Sequence, residues 1–183
     1  YAELLPAMIG AWRASWPQGD FPFLVVQLPN YVGWDKEIGT GWAYLREAQE
    51  IAVHRTPATG LAVTIDGTEP DDLHPKEKRP VGERLALIAL NQVYDRRELA
   101  WSGPVMQAVK IDGATARVTF AYADGLKSAG AAVTGFELAG ADKVFHAATA
   151  RIEGDAVIVS APEVKTPVAV RYCFRNAPAA SLV

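Results

Sequence analysis

The chain has 183 residues, half of them hydrophobic and 21% charged, with a formal net charge of −3 and a sequence pI near 5.6. Those proportions suit an ordinary globular protein, and an acidic balance without a basic face argues against a nucleic-acid partner. No apolar run approaches the roughly 20 residues that cross a bilayer, so no membrane partner is expected.

The sequence opens on Tyr1, with neither an initiator methionine nor the basic and small-residue marks of a signal peptide. It therefore reads as starting within a longer chain. From there the pattern alternates between two periods. Leu5, Met8, Ile9, Trp12 and Trp16 recur at helical spacing until Pro17 and Gly19 stop them. "FPFLVVQL" is a nearly continuous apolar run, as expected of a strand covered on both faces. "GWAYLREAQEIAVHR" returns to helical spacing through Trp42, Leu45, Gln49 and Ala52, and "GLAVTID" is a second strand. Val81, Leu85, Ile88 and Gln92 mark a last helix with Pro80 in its first turn. Helix, strand, helix, strand, helix implies parallel strands with helices on both faces. Two strands make a small sheet, since most have about four to six. The first half therefore reads as the C-terminal part of a larger doubly wound three-layer α/β domain, whose other strands lie upstream.

Beyond Trp101 the period changes to two. "TARVTFAY" puts Ala116, Val118, Phe120 and Tyr122 on one face, and "PVAVRYCF" does the same with Val168, Val170, Tyr172 and Phe174. "VFHAATARI" and "DAVIVSA" flank "EGD", and "KIDGATARV" carries an Asp-Gly turn. An antiparallel β-sandwich is expected here. The division is residues 1–100 for the α/β part and 104–183 for the sandwich, with "LAWSGPVM" as the hinge.

Ligands of open α/β sheets bind beyond the carboxyl ends of the strands. The loop after the second strand, "DGTEPDDLHPKEK", holds His74 with Asp71 three residues before it and Asp72 two before it. An aspartate folded back onto the imidazole fixes its tautomer, leaving the other nitrogen to take a proton from a nucleophile. By itself this Asp/His spacing reads equally as a solvated turn. None of Ser15, Ser102, Ser128, Ser160 and Ser181 sits in a nucleophile elbow, and Cys173 reads as a small buried residue. The nucleophile is therefore expected upstream as well. His54, His74 and His146 show no metal-ligand spacing, and no Gly-rich phosphate loop is present, so neither metal nor cofactor is expected.

"WPQGDFPFLVVQLPNY", "WAYLREAQ", "GLAVTID", "DDLHPKEKRPVGERLAL" and "VSAPEVKTPVAVRYCF", in that order, resemble the sialate O-acetylesterase-like branch of the SGNH hydrolases. The likeness runs from near Tyr1 to about residue 176. It implies a periplasmic or secreted serine esterase that removes O-acetyl groups from sugars such as sialate, xylan or xyloglucan. The nucleophile of the family sits in a Gly-Gln-Ser segment and its oxyanion hole in a Gly-Glu-Ser-Asn-like segment. Neither is present here, so an upstream segment of the same precursor is the implied partner. The catalytic histidine carries over to His74. The acid carries over to Asp71 by the general SGNH spacing, or to Asp72 by a variation common in this branch, with Asp66 a third candidate. Gln27 and Arg46 match polar positions of the family near the floor of the site, although Arg46 also reads as a bridge between structural elements. Tyr31 and Trp34 could stack on a sugar ring or pack at its rim. Two alternatives stay open: a non-catalytic carbohydrate-binding module, and an SGNH esterase acting on other esters.

Overall fold

The computed structural model describes residues 1–33, 39–67 and 69–183. They divide into two units, the first comprising Tyr1–Trp101 with Arg175–Ala177 and the second Ser102–Phe174 with Pro178–Val183.

In the first unit, helix α1 (Leu4–Ser15) precedes strand β1 (Phe23–Val26), helix α2 (Gly41–Arg55), strand β2 (Thr59–Ala62) and helix α3 (Arg79–Gln92). β1 and β2 pair in parallel, with Phe23 beside Thr59 and Val26 beside Ala62. Side chains alternate across a strand, and both faces are used. Phe23 and Val25 meet Leu5 and Ile9 of α1 and Ala52 of α2. On the other face α3 approaches so closely that a Cβ on Gly60 would sit 2.4 Å from Ile88 Cγ2 and 3.2 Å from Leu24 Cδ2. Glycine at position 60 is thus a requirement of packing. Among the described residues the sheet has these two strands only. With helices on both faces but no further described strand beside it, β1 is only half-buried, and its last residue, Val26, is exposed.

The second unit is antiparallel throughout. Strands β3 (Val105–Asp112) and β4 (Thr115–Ala121) form a hairpin whose turn passes through Gly113 at φ +56°, a left-handed step that glycine takes without strain. With β8 (Ala156–Ser160) and β7 (Thr149–Glu153) they make a four-stranded sheet in the order β3-β4-β8-β7. The second sheet, β6-β5-β9, joins Phe145–Ala147, Phe136–Ala139 and Ala169–Tyr172. "VFHAATARI" reads as one strand in sequence but serves both sheets. Ala148 still donates to the Phe136 carbonyl (3.0 Å), and Thr149 then opens β7 in the other sheet. Ala116, Val118, Val157 and Val159 of one sheet and Phe136 and Leu138 of the other share a core. Val170 and Tyr172 pack against it, as their alternation predicts, whereas Val168 and Tyr122 lie outside the strands and are exposed. Cys173 is buried as expected, although it follows β9 with φ +51° instead of lying within a strand. No helix among the described residues is long and apolar enough to cross a membrane.

Candidate active site

The carboxyl ends of β1 and β2 lead into two loops that polar side chains tie together. Gln27 prolongs the ladder past the strands: its N–H donates to the Ala62 carbonyl (2.9 Å), and its own carbonyl accepts from Thr64 Oγ1 (2.9 Å). Its side-chain Oε1 accepts the Thr64 N–H at 3.4 Å. Gln49, buried on α2, accepts the Leu28 N–H (2.9 Å) and donates to the Val26 carbonyl (3.2 Å). Asn30 Nδ2 then donates to the Ile65 carbonyl (2.7 Å), and the Val32 N–H to the Pro70 carbonyl (2.9 Å). Each bond satisfies a backbone group that strand pairing no longer serves.

The loop that carries His74 is folded on its own carboxylates. Glu69 accepts the Lys76 N–H through Oε2 (2.6 Å) and the Asp72 N–H through its main-chain carbonyl (3.2 Å). Asp72 Oδ1 accepts the His74 N–H at 2.8 Å, a local side-chain turn of the kind that aspartate favours. The His74 side chain and Asp71 are exposed. Among the described residues neither Asp71 nor Asp72 forms an ion pair or side-chain hydrogen bond with the imidazole. Asp66, the third candidate acid, is engaged elsewhere. Arg84 of α3 grips both its oxygens (2.8 and 2.5 Å) and also donates to the Val63 carbonyl (2.6 Å). The hydrogen bond from Arg84 holds the Asp66 carboxyl below the usual aspartate range.

The remaining predicted residues fall as follows. Arg46 is buried, and its guanidinium donates to the main-chain carbonyls of Arg175 and of Asn176, the latter at 3.1 Å. It thus bridges α2 to the segment that re-enters this unit. Tyr31 is 7% exposed, with its ring 5.6 Å from that of Trp42, so little of its face is open to a sugar. Trp34 lies outside the described residues. His54 is exposed beside Glu50, and His146 lines a cleft of the second unit with Asp142, Glu163 and Lys165. Among the described residues no group of three or more His, Cys, Asp or Glu could hold a metal ion.

Sequence reading missed Asn30, Glu69, Arg84 and Asn176. Gln49 was visible only as a polar residue at a core position of the helix, which is itself a signal, because a buried amide must find partners.

No family profile matches the chain. It is similar to the solved structure of a carbohydrate acetylesterase from Xanthomonas citri, with 44% sequence identity and a TM-score of 0.92 over 100% of this chain. It is also 28% identical to the sialate O-acetylesterase of Rattus norvegicus over 126 residues and 28% identical to that of Homo sapiens over 127, in each case 61% of this chain. The similarity is to sialate O-acetylesterases and a carbohydrate acetylesterase, over part of their length. This chain spans 42% of the Xanthomonas citri chain and about a quarter of the curated relatives, 23% for the rat protein and 24% for the human one. Shared length is thus partial, and the chain covers a portion of what these relatives contain.

Proposed function

We propose that this chain is the part of an SGNH-type carbohydrate O-acetylesterase that carries the catalytic histidine and its acid. On this reading the first unit closes a doubly wound three-layer domain, and the second is a β-sandwich. The observation that carries it is the 44% identity, over the whole chain, to a solved carbohydrate acetylesterase. His74 lies on the loop that follows the second parallel strand, where ligands of such sheets bind.

The chemistry is acyl transfer in two steps. A serine from another segment of the same protein attacks the acetyl carbonyl while His74 takes its proton. His74 then protonates the departing sugar oxygen. Water, deprotonated by the same imidazole, releases acetate from the acetyl-serine. Oxyanion stabilisation falls to donors outside this chain. Asp71 is the acid we assign, because one Asp72 oxygen already serves the His74 main chain and Asp66 is held by Arg84. Asp72 then acts as a positioning residue. The partner segment has a surface to meet. Leu4, Met8, Trp12 and Trp16 form an exposed stripe at four-residue spacing along α1, and β1 has no strand on its outer edge among the described residues. Apolar patches and open strand edges of this kind are normally covered. A periplasmic or secreted location goes with an O-acetylated sugar or polysaccharide substrate.

The test is His74→Ala in the natural full-length protein, assayed on an acetylated sugar. Turnover is expected to fall by about a thousandfold or more with the fold intact, and near-normal turnover sinks the assignment. Asp71→Asn should cost at least about tenfold more than Asp72→Asn in kcat; the reverse order makes Asp72 the acid. A phosphonate that labels no serine in the whole protein would favour a carbohydrate-binding role instead.

A further inference from the structure

The segment between β8 and β9 contains "PEVKTP", residues 162–167. It alternates like a strand with one face in the core. Val164 is buried among the residues between the sheets, and Glu163 and Lys165 on either side of it are exposed. Pro162 and Pro167 bracket the segment and fix φ at both ends. The Val164 N–H donates to the Ala161 carbonyl (3.1 Å), and the Val168 N–H to the Ala139 carbonyl (2.9 Å). This wall is held before any ligand arrives, which lowers the ordering cost of binding.

The other wall is the turn from β5 to β6. The Gly140 carbonyl accepts the Lys143 N–H (3.0 Å), and Asp142 Oδ1 accepts the Val144 N–H (3.1 Å). That local turn leaves Asp142 Oδ2 without a partner among the described residues. His146, half-buried on β6, completes a cleft of about 370 Å³, within the roughly 300–1,000 Å³ of small-molecule sites. Other charges of the second unit meet opposite ones: Arg117 and Arg151 reach Glu153, and Arg171 reaches Glu137. Those of the cleft do not. Among the described residues none of His146, Glu163 and Lys165 forms an ion pair or side-chain hydrogen bond, although all three line one cavity.

The chemistry of the walls selects the ligand. An anion would meet two carboxylates, a cation would meet Lys165, and no metal-holding group is found among the described residues. Carboxylates only accept and an ammonium only donates, whereas a hydroxyl does both. A neutral polyol therefore satisfies every group at once, with Gly140 and Ala141 leaving room for the C–H face of a ring.

We propose that this cleft binds a neutral pyranose unit of a glycan, with Glu163 and Asp142 accepting from its hydroxyls and Lys165 donating to them. The proposal deepens the esterase reading above and rests on it for one point, that the glycan held is the acetylated substrate.

The test is amide exchange of the full-length protein in millimolar xylotetraose, cellotetraose or mannotetraose. With at least one of these, amides of residues 142–146 and 163–166 are expected to slow about threefold or more, while those of β4 and β8 keep their rates. Replacing both Glu163→Ala and Lys165→Ala should raise the sugar concentration for half-protection about tenfold or more. Both side chains are exposed, and Glu163→Gln, which keeps the bulk and removes the charge, should shift it in the same direction. Absence of protection by all three sugars overturns the proposal, as does protection that the substitutions leave unchanged. Stronger protection by N-acetylneuraminate than by the neutral sugars would make this an anion site and overturn it too. Failure of the esterase reading has a separate signature: His74→Ala would retain turnover, while protection of the cleft by sugar would stand.

Discussion

The two units solve the same problem with different materials. In the second, nine buried residues, all apolar, cluster between two antiparallel sheets. In the first, the buried apolar cluster is Leu5, Ile9 and Ala52, and much of the rest of the interior is polar: Arg13, Gln27, Asn30, Arg46, Gln49, Thr64 and Asn91. Almost all of these bond to main-chain atoms. Arg13 alone reaches the carbonyls of Phe21, Pro57 and Ala58 at 2.8 to 3.2 Å. The difference teaches that a two-stranded sheet with long loops has few pleated faces to cover and many main-chain groups to satisfy. Polar side chains at core positions do the second job. Apolar packing tolerates a slightly wrong neighbour better than a hydrogen bond tolerates a missing one. The unit that carries the candidate site is therefore specified by individual bonds, and the unit without it by volume.

Three substitutions break or sharpen this contrast. The largest effect belongs to Leu138→Ala, which empties a fully buried site between the sheets. It should cost about 2–5 kcal/mol, read from amide exchange in β4 and β8. An equal loss at the amides of β1 and β2 would show that the two units unfold as one and end the comparison. Next comes Gln49→Leu, which preserves bulk but leaves the Leu28 N–H and the Val26 carbonyl without this partner. A loss of about 1–3 kcal/mol is expected, confined to the first unit. A neutral result would mean that polar bonding there is dispensable. The smallest effect is that of Arg84→Met. Asp66 has its carboxyl held below the ordinary value of 3.8 by its hydrogen bond from Arg84. Its contribution to stability is therefore complete above that value and lost as the pH falls through the lower folded one. Both groups are partly exposed, so the contribution is at most about 1 kcal/mol after solvent screening. Acid unfolding of the parent and of Arg84→Met should diverge above pH 3.8 and converge below it.

The regular elements were legible to unequal depth. "GWAYLREAQEIAVHR" coincides with α2 from Gly41 to Arg55, because helical spacing and a terminal basic pair agree there. "FPFLVVQL" announced a strand but not its brevity, since a run of apolar residues does not say how many strands flank it. Alternation found the β4 face through Ala116 and Val118. It missed the step at Ala148, where one residue moves the chain between sheets without any turn residue to mark it. For the candidate site, sequence placed His74 beyond the end of a parallel strand. It could not choose between Asp71 and Asp72, which differ by one residue in a loop without periodicity. The ties made by Asn30, Gln49, Arg84 and Asn176 end mostly on main-chain carbonyls and amides. Every residue but proline offers both of these, so no side-chain pattern points to them.

Asn176 has a consequence for the order of events during synthesis. The first unit is not contiguous: three of its residues, Arg175–Ala177, are made after nearly all of the second. A ribosome that has released Tyr1 to Trp101 has released α2 without Asn176 Oδ1, the acceptor for its Trp42 N–H. Contacts at such separation form late, because the intervening loop must close first. The first unit is thus completed only after residues 102–174 of the second have been made, and the Trp42 N–H waits for Asn176.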